Sequence, residues 1–130
     1  MTEQPPTYAL SHSERLRNLG AIRRLFESGK GGFVYPIRYV WLAAEGDAEH
    51  NSAEVLFNVP KKFHRRANKR NTLRRRVKEA YRLQKSIIIE RDGTPQSLDI
   101  ALIYSTKESH SYKTINNAVR KILELIAQDN

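Results

Sequence analysis

The chain has 130 residues, of which 39% are hydrophobic, and it carries a formal net charge of +9. This length and composition predict one globular domain with its own core and exclude a disordered basic tail. The chain has no cysteine, which excludes disulfides and thiolate zinc sites and favours the cytoplasm. It also lacks a signal-peptide pattern and any apolar run near 18 residues, so we expect no membrane partner.

The N-terminal part of the chain predicts a flexible arm over residues 1–10, followed by a single domain over residues 11–130. A helix opens this domain, because apolar residues recur at helical spacing in one stripe: Leu19, Ile22, Leu25 and Phe26. Its N-cap is either Ser11 or Asn18, and Gly29 ends it.

Residues 33–43 are rich in aromatic and β-branched side chains and predict one strand, or two short strands that break at Pro36. Alternation places every second residue on the same face. One face holds Arg38, Val40 and Leu42, and the other holds Ile37, Tyr39 and Trp41. The polar segment 45–52 predicts a hairpin loop, and residues 53–59 predict the returning strand.

The basic residues are concentrated in one window. Residues 61–85 hold twelve of the 23 Lys and Arg residues and one acid, Glu79. The window therefore carries +11 and the other 105 residues −2. Most of it predicts a helix with a thin apolar stripe, centred on Leu73, Val77 and Ala80, that packs on a sheet. Cations occupy the opposite arc, an arrangement typical of a polyphosphate partner such as RNA.

The C-terminal third predicts a mostly buried strand over residues 98–104 and a helix over residues 111–127. The buried stripe of this helix is expected to consist of Ile115, Ala118, Val119, Ile122, Leu125 and Ile126. The element order is α-β-β-(β)-α-β-α, where the bracketed strand is a short one near Phe33. This order indicates the α+β class, a single-domain sandwich of helices against one sheet.

The basic helix resembles a known signature. Residues 69–82 are similar to the motif of the bacterial ribonuclease P protein family, which has an Arg-Asn-Arg triplet, a basic pair and a closing tetrad. Arg70 and Asn71 match the triplet, Arg74 and Arg75 the pair, and residues 78–81 the tetrad. The likeness continues in order over three further segments: residues 16–29, 58–62 and 97–103. Thr72 departs from it, since it stands where the family usually has the second Arg of the triplet.

The resemblance implies a fold and a function. The implied fold is a mostly antiparallel four-stranded sheet with three helices, in which the basic helix belongs to a left-handed βαβ crossover. Handedness rules alone would predict a right-handed crossover. The implied function is that of the protein subunit of ribonuclease P, a ribonucleoprotein endonuclease that matures the 5′ ends of tRNA. Its partners would be the catalytic RNA subunit and precursor tRNA, with no small-molecule substrate.

The resemblance also implies a division of labour. The RNA subunit requires magnesium and carries out the hydrolysis, while the protein binds no cofactor and has no catalytic residues. RNA-binding candidates from the basic window are Lys61, Lys62, Arg65, Arg66, Lys69, Arg70, Asn71, Arg74, Arg75, Lys78 and Arg82. Candidates for holding the 5′ leader of precursor tRNA in a cleft between the first helix and the sheet are Ile22, Phe26, Arg38, Tyr39 and Trp41.

Several alternatives compete with these interpretations. The basic face could be a solvated surface or a membrane-surface helix, and the aromatic residues could be ordinary core. A general RNA-binding protein of the ribosome or its assembly shares the charge pattern. A protein nuclease would need converging carboxylates. Acids and a histidine crowd together in only one place, around a polar loop: Asp47, Glu49, His50 and Glu54. This loop more simply predicts a solvated tip without metal. His64 is a further candidate for a phosphate contact.

Overall fold

A computed structural model describes residues 14–44 and 48–129 of the chain. Its helices are α1 (Leu19–Ser28), α2 (Ala67–Gln84), α3 (Ser86–Ile89) and α4 (Tyr112–Gln128). Its strands are β1 (Lys30–Val34), β2 (Ile37–Ala43), β3 (Ser52–Asn58) and β4 (Ser97–Tyr104). The α+β class and the extra strand near Phe33 are confirmed. The predicted arm over residues 1–10 lies outside the described residues.

The four strands form one sheet in the order β1-β2-β4-β3. The pairs β1–β2 and β2–β4 are antiparallel, whereas β3 and β4 are parallel. The sheet is therefore mostly antiparallel, as predicted. The prediction of a hairpin loop over residues 45–52 is wrong, because β4 lies between β2 and β3. Strand β4 is almost entirely apolar and suits the centre of the sheet, whereas β3 has exposed polar residues and lies at its edge.

The parallel pair β3–β4 is joined through α2, which confirms the predicted βαβ crossover. Its left hand stays a prediction of the family resemblance. The described residues form four helices instead of the predicted three. The additional helix, α3, is a single turn of four residues directly after α2. It buries Ile88 in the main core, and a segment this short gives no helical period in the sequence.

The main core lies between one face of the sheet and the helices α2 and α4. From α2 it contains the residues of the predicted stripe, namely Leu73, Val77, Ala80 and Tyr81. From the sheet it contains Ile37 and Trp41 of β2 and alternate residues of β4: Leu98, Ile100, Leu102 and Tyr104. In α4 the predicted stripe is confirmed except that Leu123 is fully buried and Leu125 only partly so.

Helix α1 packs on the opposite face of the sheet and forms a smaller core with it. Leu25 is fully buried there, with Val40 and Ala101 as its partners in the sheet. Asn18 caps the helix by accepting a hydrogen bond from the Ala21 amide at 3.0 Å, so Asn18 is the cap. At Gly29 the chain passes so close to β2 that a Cβ would lie 2.7 Å from the Val40 Cγ1 atom.

The stripe predicted for α1 is only partly buried. Leu25 lies in the core, but Leu19 is 80% exposed and Phe26 is 48% exposed. Ile22 is half-buried at the edge of the small core. An amphipathic pattern therefore marks two different surfaces on this helix, one that packs on the sheet and one that faces solvent.

We expect Leu73→Ala to lower the free energy of unfolding by about 2–5 kcal/mol, because it removes a fully buried side chain of α2. Leu83→Ala is the matched control, since Leu83 lies on the same helix but is largely exposed. Its effect should stay within about 0.5 kcal/mol. Urea denaturation followed by circular dichroism measures both. Equal losses for the two variants would mean that the buried face of α2 is misassigned.

Candidate nucleic-acid interface

The burial of one side of α2 leaves the cations of the basic window on the surface. Seven of the predicted RNA-binding residues are exposed: Lys61, Lys62, Arg65, Arg66, Lys69, Asn71 and Arg75. The other four are half-exposed: Arg70, Arg74, Lys78 and Arg82. The structure thus brings all eleven together along α2 and the segment that leads into it. Lys85 is different, because it forms an ion pair with Glu14 at 2.9 Å and its side chain is only 13% exposed.

Several of these side chains are held by local hydrogen bonds. Arg74 donates to the Asn71 Oδ1 atom at 3.0 Å, and Arg82 donates to both carboxylate oxygens of Glu79. Arg70 donates to the backbone carbonyl of Arg65 at 2.7 Å and also to that of His64. Such bonds reduce the conformational freedom that a long side chain would lose on binding. Part of the basic surface is therefore preorganised.

The charges on α2 are close enough to disfavour one another. The pKa of Lys78 is lowered, first by burial and then by the positive charges of Arg15 and Arg74. A bound polyanion would relieve this repulsion. Arg15 was missed as a site residue from the sequence, because it lies far from the window. It reaches α2 because its backbone forms an isolated bridge with Val55 at the edge of the sheet.

The segment before α2 is fixed by a buried histidine. His64 is 4% exposed, its Nε2 atom lies 2.7 Å from the Thr106 carbonyl oxygen, and its ring packs beside Tyr104. This burial corrects the prediction of His64 as a phosphate contact. The residue positions the start of α2 against the loop after β4.

The face of the sheet that carries α1 has a second candidate surface. The strand registers align four residues in one row across all strands, in the order Phe33, Arg38, Ile103 and Asn58. Phe33 is 55% exposed, and Arg38 and Asn58 are also exposed. Phe33 and Asn58 were missed from the sequence, because only the pairing of the strands places them beside Arg38. The row combines an aromatic ring, a cation and an amide.

The exposed stripe of α1 borders this row. The positive charge of Arg24 partly offsets the rise that burial causes in the pKa of Asp99, so Arg24 lies on the side of the helix near Asp99. Phe26 lies about 160° from Arg24 around the helix, on the same side as Ile22. Ile22 and Ile103 both pack at the edge of the small core. The α1 side of the sheet thus carries an open surface with three of the five predicted leader-binding residues: Ile22, Phe26 and Arg38.

Tyr39 and Trp41 lie on the other face of the sheet. Trp41 is 6% exposed within the main core, and Tyr39 packs against the same core with its ring directly over Gly32. This placement corrects the predicted leader-binding group, because strand alternation separates these two residues from Arg38. Both Tyr39 and Trp41 contribute to the main core, which is the alternative that the sequence analysis gave for the aromatic residues.

The opposite end of the α1 face is acidic. Glu54 and Asp99 are paired across the parallel strands β3 and β4. Burial raises the pKa of both carboxyl groups, and the charge of Asp99 raises that of Glu54 further. An anionic ligand would be repelled here and favoured at the Arg38 end.

Within residues 14–44 and 48–129 no group of three or more metal-ligating side chains converges. Of the crowded polar loop, Glu49, His50 and Glu54 are exposed, whereas Asp47 lies outside the described residues. In the same part of the chain no helix is long and apolar enough to cross a membrane.

Comparison with known proteins places the chain in a family. The model of the family described as Ribonuclease P matches residues 10–127. The chain belongs to the Ribonuclease P protein family. It is 39% identical over 125 residues to the ribonuclease P protein component of Porphyromonas gingivalis, a match that covers 95% of this chain and 90% of that protein. It is 40% identical over 91 residues to the corresponding protein of Chlorobaculum tepidum, covering 68% and 58% of the two chains.

Solved structures of Ribonuclease P proteins share the fold. The protein from Thermotoga maritima aligns with a TM-score of 0.68 at 24% identity and covers 86% of this chain and 96% of that chain. The protein from Staphylococcus aureus aligns with a TM-score of 0.62 at 18% identity, covering 87% and 94%. The fold that the family resemblance implied is thereby confirmed in its overall arrangement.

We expect Asp99→Asn to raise the melting temperature at pH 7. The pKa of Asp99 is raised above its ordinary value of 3.8 mainly by burial, so the folded state binds a proton more readily than the unfolded state. The stability of the protein then falls as the pH rises from 3.8 through the raised pKa of the folded state, because Asp99 loses its proton there. The amide of Asn carries no charge and avoids this loss. The gain should shrink as pH falls towards 3.8.

Asp92→Asn, at an exposed position, serves as the control and should leave the melting temperature unchanged at either pH. Thermal denaturation at pH 4 and pH 7 measures both variants. Destabilisation of Asp99→Asn at pH 7 would show that attraction to Arg24 outweighs burial.

Proposed function

We propose that this chain is the protein subunit of a ribonuclease P ribonucleoprotein, which binds the catalytic RNA and precursor tRNA during maturation of tRNA 5′ ends. The single observation that supports this most is the cationic face of α2. Eleven predicted contact residues lie together along α2 and the segment that leads into it, and the only acid among residues 61–84, Glu79, is already bonded to Arg82. A solvated helix face would instead carry interspersed acids.

The cationic face of α2 would act on phosphates. Arg side chains bind phosphate oxygens in bidentate geometry, and the preorganised Arg70 and Arg74 would lose little freedom on binding. Neutralising several phosphates releases counterions and makes the affinity depend steeply on salt. The protein would thus screen the repulsion between the catalytic RNA and its RNA substrate.

The open surface on the α1 face would hold the 5′ leader. A single-stranded segment needs aromatic or apolar side chains for its bases and cations for its backbone. Phe26, Ile22 and Phe33 provide the former and Arg38 the latter. The acidic pair Glu54–Asp99 would keep the RNA at the Arg38 end.

Hydrolysis would be carried out by the RNA with its own magnesium ions. In this proposal the protein positions the substrate and neither binds a cofactor nor activates water. The compartment would be the cytoplasm, where tRNA precursors are processed and where a chain without cysteine is expected.

The activity test uses the purified protein, the catalytic RNA of the same organism and a precursor tRNA. At low, near-physiological magnesium the protein should increase cleavage by that RNA, and high magnesium should partly replace the protein. The protein alone should cleave nothing. Cleavage by the protein after nuclease treatment would contradict the proposal and favour a protein nuclease. A protein that binds RNA but has no effect on cleavage would favour a general RNA-binding role.

Replacing Arg74 and Arg75 by Ala should weaken binding to the catalytic RNA by about 2–4 kcal/mol, because two charge-assisted contacts are lost. The matched control is Arg120→Ala with Lys121→Ala, which removes the same charge from the exposed side of α4. The control should bind within threefold of the unchanged protein. Filter binding measures the affinities, and circular dichroism checks that both variants are folded. Equal losses would mean that only net charge matters.

Phe26→Ala should abolish most of the affinity gain that the 5′ leader confers. The measurement compares precursor tRNA with the same tRNA lacking its leader, each bound to the reconstituted complex. Loss of one stacking contact corresponds to about 1–3 kcal/mol. Leu83→Ala, which removes an exposed apolar side chain from α2, should keep the gain. If Phe26→Ala weakens both RNAs equally, the α1 face does not hold the leader.

A further inference from the structure

Two adjacent cavities lie along one flank of α2. The larger, of about 540 Å³, lies towards Arg82 and Tyr112, and the smaller, of about 340 Å³, lies towards Arg66 and Lys69. Thr72 and Arg76 line both cavities. The flank therefore forms one trough, and these two residues are at its centre.

The trough is strongly cationic. Seven different Lys and Arg residues line it: Arg15, Arg66, Lys69, Arg75, Arg76, Lys78 and Arg82. The one acid among the lining residues, Glu79, is held by two hydrogen bonds from Arg82. Such a surface suits a phosphodiester backbone better than a neutral ligand.

Thr72 leaves the centre of the trough without a cation. Its hydroxyl donates to the Asn68 carbonyl oxygen at 3.0 Å, so its hydrogen is already used within the helix. The residue occupies the position at which the resembled motif has its second Arg. It provides space over the helix surface but no charge and no spare donor.

Arg76 lies one helical turn after Thr72, on the same flank. Residues at this spacing are neighbours, and a helical side chain leans back over the turn that precedes it. Both residues line the same two cavities, so Arg76 can act on a ligand that lies over Thr72. The Arg76 Nη1 atom donates to the His110 carbonyl oxygen at 2.7 Å, which holds the guanidinium in place. No described carboxylate forms an ion pair with it.

We infer that Arg76 supplies the phosphate contact that Thr72 does not, and that a phosphodiester of the RNA partner crosses α2 at Thr72. This inference rests on the proposed function and adds a binding residue outside the predicted set. The sequence prediction did not include Arg76, because at 100° per residue it falls outside the arc that most other cations of α2 share.

The test exchanges the charge between the two positions. Arg76→Gln removes the charge but keeps an N–H donor for the His110 carbonyl. We expect it to weaken binding of the in vitro transcribed catalytic RNA about tenfold and to reduce the slope of log K against log salt by about one. The unchanged protein should show a slope near −4 to −5 if roughly six phosphates are neutralised.

Adding Thr72→Arg to Arg76→Gln should restore both the affinity and the slope. Arg120→Gln on α4 is the control for net charge and should change neither. Thermal denaturation of each variant shows whether the loop at His110 stays anchored. Wild-type affinity for Arg76→Gln, or no recovery in the double variant, would overturn the inference. If the unchanged protein itself fails to bind the catalytic RNA, the proposed function fails instead.

Discussion

The packing of a thin apolar stripe on α2 is the constraint on which the rest of the structure depends. Four side chains of this stripe, Leu73, Val77, Ala80 and Tyr81, are buried in the main core and attach α2 to the sheet and to α4. Of the other fourteen residues of the helix, seven are Lys or Arg and one is an acid. In isolation such a helix would be opposed by its own charge repulsion. Burial of these side chains in a common core offsets that repulsion. Folding thus holds positive charges close together that would otherwise separate. The resulting dense positive surface attracts a polyanion such as a phosphodiester backbone.

Polar contacts at both ends of α2 complete its placement. His64 and Arg76 bond the carbonyls of Thr106 and His110, so the loop between β4 and α4 holds the first half of the helix. Lys85 is paired with Glu14 near the other end. These contacts join segments that are distant in the chain. They also explain why basic residues of the same window have different roles: some are anchors and others remain exposed.

The sequence predicted what depends on local pattern. The stripe of α2, most of the stripe of α4 and the two faces of β2 follow from the periods of helix and strand, and the structure agrees. The capping pattern left Ser11 and Asn18 as alternatives, and the structure shows Asn18 as the cap. The amino-acid sequence did not reveal the features that depend on strand order. A polar loop followed by a strand fits a hairpin equally well, so the insertion of β4 beside β2 was missed. Trp41 and Arg38 were both candidate site residues for the same reason, since the sequence does not show which helices cover each face of the sheet. The structure shows that α2 and α4 cover the Trp41 face, whereas α1 packs on the Arg38 face.

The strand order also explains how the two proposed RNA-binding surfaces could belong to one site although they lie on opposite faces of the sheet. The row from Phe33 to Asn58 crosses all four strands at the end where β3 terminates. Pro60 and the first cations of the basic window, Lys61 and Lys62, follow within four residues. The parallel crossover then carries the chain around the edge of the sheet into α2. The row on the α1 face therefore continues into the basic segment without an intervening acid, whereas Glu54 and Asp99 lie at the opposite end. In the proposed function, the RNA would therefore contact this protein at the C-terminal end of β3, where the basic segment follows the row along the chain.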